Sequence, residues 1–196
     1  MHFIQILLLL ALAAASTGYD CNDFIIPREE WGAVAPRKDD IKSSAGRVFV
    51  HHTNTRECIT DDECMSSVKE FEAFHREILG DEDLDVHFLI GGNGLIYEGL
   101  GWDAQGLHTP EFPNDFGVAF IGTFNDSPAN ELMMNAFEDL IECGIENGKI
   151  DVFHSLYGHK DARCSTMCPG AHLYNQLKQL KPSFHRGGKL IKSCDL

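Results

Sequence analysis

Apolar and polar positions recur with two different periods along this chain, and the switches between them mark its elements. Arg47 to His52 alternates and is rich in β-branched and aromatic residues. That predicts a strand with Phe49 and His51 on one face and Val50 and His52 on the other. Residues 62–79 carry Met65, Val68, Phe71, Phe74, His75 and Ile78 at helical spacing, with Asp61 or Asp62 as N-cap and Gly80 as stop. Val86 to Ile90 and Leu95 to Glu98 flank Gly-Gly-Asn-Gly (91–94), a hairpin signal. Residues 99–116 read as loop, and the continuous apolar run Val118 to Phe124 reads as a buried strand. A second amphipathic helix spans 129–147 through Leu132, Met133, Ala136, Phe137, Leu140, Ile141 and Ile145, and a third begins at Leu173. Residues 19–46 look like an irregular lead-in. The fold class is therefore α/β, a single domain with a mixed central β-sheet flanked by three helices.

The ends of the chain look different. Residues 1–18 begin with a short leucine-rich run followed by small residues, too short to span a membrane. They read as a secretory signal peptide, so the protein is expected to be secreted and extracellular. The domain is then expected over 19–182, with a basic, glycine-containing tail at 183–196. The formal charge of -14 argues against nucleic acid or an anionic membrane as partner. Acidic clusters at 61–63 and 81–85 read as solvated loops. Phe71, Phe74, Phe120 and Phe124 read as core, Trp31 as structural, and His75 as a buried, hydrogen-bonded residue.

Seven cysteines stand at 21, 58, 64, 143, 164, 168 and 194. In an oxidising compartment most should pair, and an odd number leaves one over. Cys58 and Cys64 are close enough in sequence to close a short loop. His51, His159 and Cys168 form a split set of metal-ligand types. Two imidazoles and one thiolate leave the fourth position of a tetrahedral Zn²⁺ open, as a catalytic zinc requires. If Cys168 is a ligand, six cysteines remain for three disulfides.

Several segments carry a resemblance. They are Pro-Arg-Glu-Glu-Trp-Gly-Ala (27–33), Val-His-His-Thr (50–53), Cys58…Cys64, His-Phe-Leu-Ile-Gly-Gly-Asn-Gly (87–94), Gly-Leu-His-Thr (106–109), Gly-His-Lys-Asp (158–161) and Cys-Pro-Gly (168–170). In this order and spacing the chain resembles the peptidoglycan recognition protein family, itself similar to zinc-dependent N-acetylmuramoyl-L-alanine amidases. The resemblance implies a groove for the peptide stem and muramic acid of bacterial peptidoglycan. It implies zinc on His51, His159 and Cys168, and disulfides Cys58–Cys64, Cys21–Cys143 and Cys164–Cys194. It also implies an innate-immunity, antibacterial role, with an immune signalling partner possible in members that only recognise their ligand.

For the remaining site residues the resemblance and the chemistry together suggest roles. Thr166 matches a position beside the zinc and is a catalytic candidate. His52, Trp102, His108 and Thr109 are substrate-binding candidates, Trp102 because aromatic faces pack on sugars and peptides. Two departures stand out. Active family members carry a tyrosine one residue before the position of His87, where this chain has Val86. His87 is the candidate to take over part of that role. The spacing from His159 to Cys168 is also one residue longer than the family's usual. Two readings follow: a zinc amidase cleaving the muramic acid–L-alanine bond, or a recognition protein with little or no turnover.

Overall fold

The computed structural model describes residues 24–34, 44–180 and 190. The expected leader and all of the tail except Leu190 lie outside the described residues. The chain runs β1 (Ile25–Ile26), α1 (Arg28–Trp31), β2 (Ala45–His52), α2 (Asp61–Ala73), β3 (Phe88–Ile90), β4 (Ile96–Glu98), β5 (Phe116–Phe120), α3 (Glu131–Glu146), β6 (Ile150–Gly158), α4 (His159–Ala162) and α5 (Ala171–Leu177). The six strands form one sheet in the order β1-β4-β3-β5-β2-β6. Its pairs are parallel except β3/β4, the hairpin expected around Gly-Gly-Asn-Gly, so the sheet is mixed.

Alternation along the strands divides the core in two. Val48, Val50, Phe88, Ile90, Val118 and Phe120 join Phe137 and Leu140 of α3 and Leu173 and Leu177 of α5. Leu89, Tyr97, Ala119 and Ile121 face the other way, toward Trp31, Cys64 and Val68 of α1 and α2. The α2 start is fixed by Thr60, not by the aspartates. Its hydroxyl accepts the Glu63 N–H while the Glu63 side chain returns to the Thr60 N–H, a reciprocal capping box. The Cys58–Cys64 disulfide ties the preceding loop to this first turn. Cys143 and Cys164 are disulfide-bonded as well, and their expected partners, Cys21 and Cys194, lie outside the described residues.

Four expectations change. The lead-in holds β1 and α1, anchored by Arg28, which is 5% exposed. Its guanidinium donates to Gly99 O and Val34 O and bridges Glu72 and Asp83 at 3.1 and 2.8 Å. The 81–85 cluster is thus not simply solvated, since Asp83 is buried against that arginine. Secondly, β6 lies along the outer edge of β2, where no strand was expected. Its Asp151, Val152 and Phe153 are all exposed, which breaks any inside–outside alternation. Thirdly, α2 ends in a π-helical turn, Phe74–Leu79. Such a turn shifts the helical register by one residue, so His75 is buried while Phe74 and Ile78 are 46% and 71% exposed; Phe74 is not core. Fourthly, β5 begins at Phe116 and stops at Phe120, before a turn at Gly122 with φ 147°.

Candidate metal centre and groove

The site lies at the C-terminal ends of the parallel strands β2 and β6. Their register pairs Val50 with Gly158, so the next residues, His51 and His159, stand side by side with ring centroids 4.5 Å apart. Cys168 comes from the loop between α4 and α5 and is pinned from three sides. Its N–H donates to Thr166 Oγ1 at 3.1 Å, its carbonyl accepts the Lys160 N–H at 2.9 Å, and its Sγ accepts the His52 N–H at 3.3 Å. One potential ligand atom from each of His51, His159 and Cys168 lies within 4.8 Å of the others.

The hydrogen bonds behind His51 select its free nitrogen. His108 Nε2–H donates to the Asp115 carbonyl at 3.1 Å, which leaves a lone pair on His108 Nδ1. His51 Nε2 faces that lone pair at 3.3 Å, with the Thr109 hydroxyl beside both rings. His51 therefore carries its proton on Nε2 and turns its Nδ1 lone pair toward Cys168 Sγ, 3.8 Å away. Zinc bonds of about 2.0–2.3 Å at tetrahedral angles place such a nitrogen and sulfur roughly 3.6 Å apart. His159 Nε2 is buried without a hydrogen-bond partner among the described residues, an orphan that an ion would satisfy. The donor set fits Zn²⁺, with His108 and Thr109 as the outer partners that orient one ligand.

Electrostatics leave all three candidate ligands neutral. Burial, then the neighbouring His108 and His159, holds His51 well below its ordinary range. Burial, then Arg163, brings His159 to about 4. Burial pushes the Cys168 thiol up to about 12. At pH 7 zinc thus has one proton to displace, from sulfur. Calorimetry near pH 6, where a zinc-bound water still holds its proton, in buffers of different ionisation enthalpy is expected to show about one proton released per ion. Affinity should rise about tenfold per pH unit above pH 5, because only the thiol then competes with the metal. Release of two protons per ion would overturn the neutral-imidazole assignment.

A cavity of about 330 Å³ opens at the ligands, walled by Val86, His75, Asp85, His52 and Thr166 among others. A second, of about 420 Å³, shares Asn54 and Phe71 with it and extends along Thr55, Arg56, Glu70 and Phe74. Together they form a groove between α2 and the loop after β2.

Not every expected site residue reaches this groove. His87 is fully buried. Its Nε2–H donates to the Ala104 carbonyl and its Nδ1 accepts the Gly117 N–H. Both nitrogens are spent on backbone, so the catalytic role expected for it is replaced by a structural one. Trp102 packs on Phe88, Phe116 and the α3 side of the sheet, away from the ligands, and is not a groove residue. His108 and Thr109 are buried behind His51 and orient it; the His108 ring reaches the cavity wall, whereas Thr109 does not border it. Gly117 makes room for this arrangement, since a Cβ there would collide with the His108 ring. His52 and Thr166 do border the cavity, and His52 Nδ1 accepts the Phe124 N–H at 3.4 Å. The unforeseen participants are Asp85 and the inward-turned His75.

A family model described as N-acetylmuramoyl-L-alanine amidase matches residues 42–171. Peptidoglycan-recognition protein 1 of the beetle Holotrichia diomphalia is 35% identical over 167 residues, 84% of each chain. Drosophila PGRP-LB superposes with a TM-score of 0.80 at 30% identity, covering 86% of this chain and 98% of that one. Human PGRP-IBETAC, solved with a glycosamyl muramyl pentapeptide, gives 0.78 at 35% identity, covering 83% and 98%.

Proposed function

This chain belongs to the peptidoglycan recognition protein family, and from that premise we propose that it binds bacterial peptidoglycan and, as a secreted zinc-dependent N-acetylmuramoyl-L-alanine amidase, hydrolyses the bond between muramic acid and L-alanine. The observation that carries the reading is the convergence of His51, His159 and Cys168 within 4.8 Å at the wall of a cavity. Bound zinc would polarise the amide carbonyl and lower the pKa of a water. The chain's own groups do the rest. His108 and Thr109 hold the His51 ring in one orientation. Thr166 accepts the Cys168 N–H at 3.1 Å, which leaves its hydroxyl proton available to a water or a substrate oxygen at the cavity edge. The groove beyond, with Arg56 and Glu70 on its walls, suits a peptide stem carrying both charges.

Val86 favours the second reading, recognition without turnover in support of an immune signalling partner. It is 2% exposed and presents only methyl groups to the cavity. Zinc-loaded protein incubated with insoluble peptidoglycan decides between them. Newly exposed L-alanine amino termini are expected. Sedimentation with the cell wall without such termini would replace the amidase by a recognition protein.

A further inference from the structure

Asp85 is set unlike the other acidic groups of its loop. It lines the cavity that holds the three ligands, and its Oδ1 is buried without a hydrogen bond among the described residues. The nearest charged partner is His75 Nε2 at 3.5 Å, while His75 Nδ1 lies 3.0 Å from Asp81 Oδ2. A carboxylate only accepts, so Asp81 fixes a proton on His75 Nδ1. The contact between His75 Nε2 and Asp85 is then attractive only with a second proton between them, carried by either group. The π-helical turn is what brings His75 into this position.

We propose that Asp85 is a catalytic proton carrier of this site, with His75 and Asp81 as positioning residues behind it, in the place left without a hydroxyl at Val86. This rests on the amidase reading above. As an attacking water forms its C–O bond to the carbonyl carbon, the carbonyl π pair moves onto its oxygen and one water proton passes to Asp85. When that pair returns to re-form the carbonyl, the C–N bond breaks, its electron pair stays on nitrogen, and the proton moves from Asp85 to that nitrogen. The products are the carboxylic acid and the free amine, with Asp85 restored.

Other groups around the cavity are committed elsewhere. His51 and His159 face Cys168. His108 donates to Asp115, and the Nδ1 of His52 is engaged by the Phe124 N–H. Thr166 can orient a water but not hold its proton at neutral pH. The charged and titratable groups facing Asp85 are His75 from the π turn, Asp81 from its own loop and Cys168 from across the cavity. Burial raises the Asp85 carboxyl above the usual range, His75 lowers it and Asp81 raises it again, which brings it nearer the pH at which a general acid–base works.

The test uses D85N, D85E and wild type, each zinc-loaded. D85N is expected to keep its zinc and its sedimentation with peptidoglycan but to lose about 10²-fold or more in L-alanine release, the scale of a general acid–base contribution. The acid limb of its pH profile should shift from that of wild type under saturating zinc, while D85E keeps the wild-type limb. In metal-free protein the ¹⁵N resonances of the His75 ring should move on D85N. Wild-type activity matched by D85N, or an unmoved His75 ring, overturns the role of Asp85 and leaves the amidase reading standing. A wild type that holds zinc and releases no L-alanine termini overturns both.

Discussion

Cys168→Ser is expected to lose zinc almost completely while keeping its fold. The side chain is 8% exposed and serine fills nearly the same space. The hydroxyl is a far poorer zinc ligand than a thiolate at neutral pH. A change in the outer shell alone costs about 10–100-fold in metal affinity, so removing one of three protein ligands should exceed that range. Three measurements make the result unambiguous. Metal content after dialysis against a weak chelator should fall to background. The rise in Tm that zinc gives the wild type should vanish, because an ion that binds only the native state stabilises it by mass action. Release of L-alanine termini from peptidoglycan should fall to background as well. A serine variant that retains zinc as tightly as wild type would remove Cys168 from the ligand set and leave the two histidines without a third donor.

Arg28→Met is expected to cost more stability than any single change near the groove. It strips both buried carboxylates, Glu72 and Asp83, of the guanidinium between them, and it removes a donor from the carbonyls of Val34 and Gly99. Burial already raises the Glu72 carboxyl, and the arginine is one of the contacts that lower it again. Breaking a buried ion pair by removing one partner costs about 3–5 kcal/mol, because the remaining charge is left in a poor dielectric. Urea denaturation should show that loss as a lower midpoint with an unchanged slope. Adding Glu72→Gln and Asp83→Asn should recover a large share, since the burden lies in the unpaired charges and not in the missing methylenes. An unfolding free energy within about 1 kcal/mol of wild type would mean the carboxylates find other partners. The same arginine joins α1, α2 and the loop that carries Asp83 and Asp85, so its loss should also loosen one wall of the cavity.

The parts of this molecule that were legible from sequence are those where side-chain chemistry and local period agree. The β2 alternation placed His51 on the opposite face from Val50. The hairpin glycines placed β3 against β4, and the apolar stripe of α3 faced the core as its spacing required. The convergence of His51, His159 and Cys168 was legible because two histidines and a cysteine in those motifs have few other joint uses. What was not legible depends on partners distant in sequence. β6 joins the sheet at its edge, and Asp151 to Phe153 are exposed among the described residues, so burial imposes no pattern on them. Trp102 has a sugar-binder's chemistry, but the side of the sheet it occupies is set by how the loop before β5 folds back. His87 has a catalyst's chemistry, but two backbone groups had already claimed it. Asp85 sat within a run of acids that reads as solvated, and only the π turn, which brings His75 to it, sets it apart.

The pairing of β2 with β6 has a consequence for the order in which the molecule is made. His51 emerges early in synthesis, whereas His159 and Cys168 follow only after more than half of the chain has been added. Bringing them together closes a very long loop, which is among the slowest kinds of contact a chain forms. An ion held there by all three residues can bind only once that closure has been made, so it locks the pairing of β2 with β6 and does not precede it.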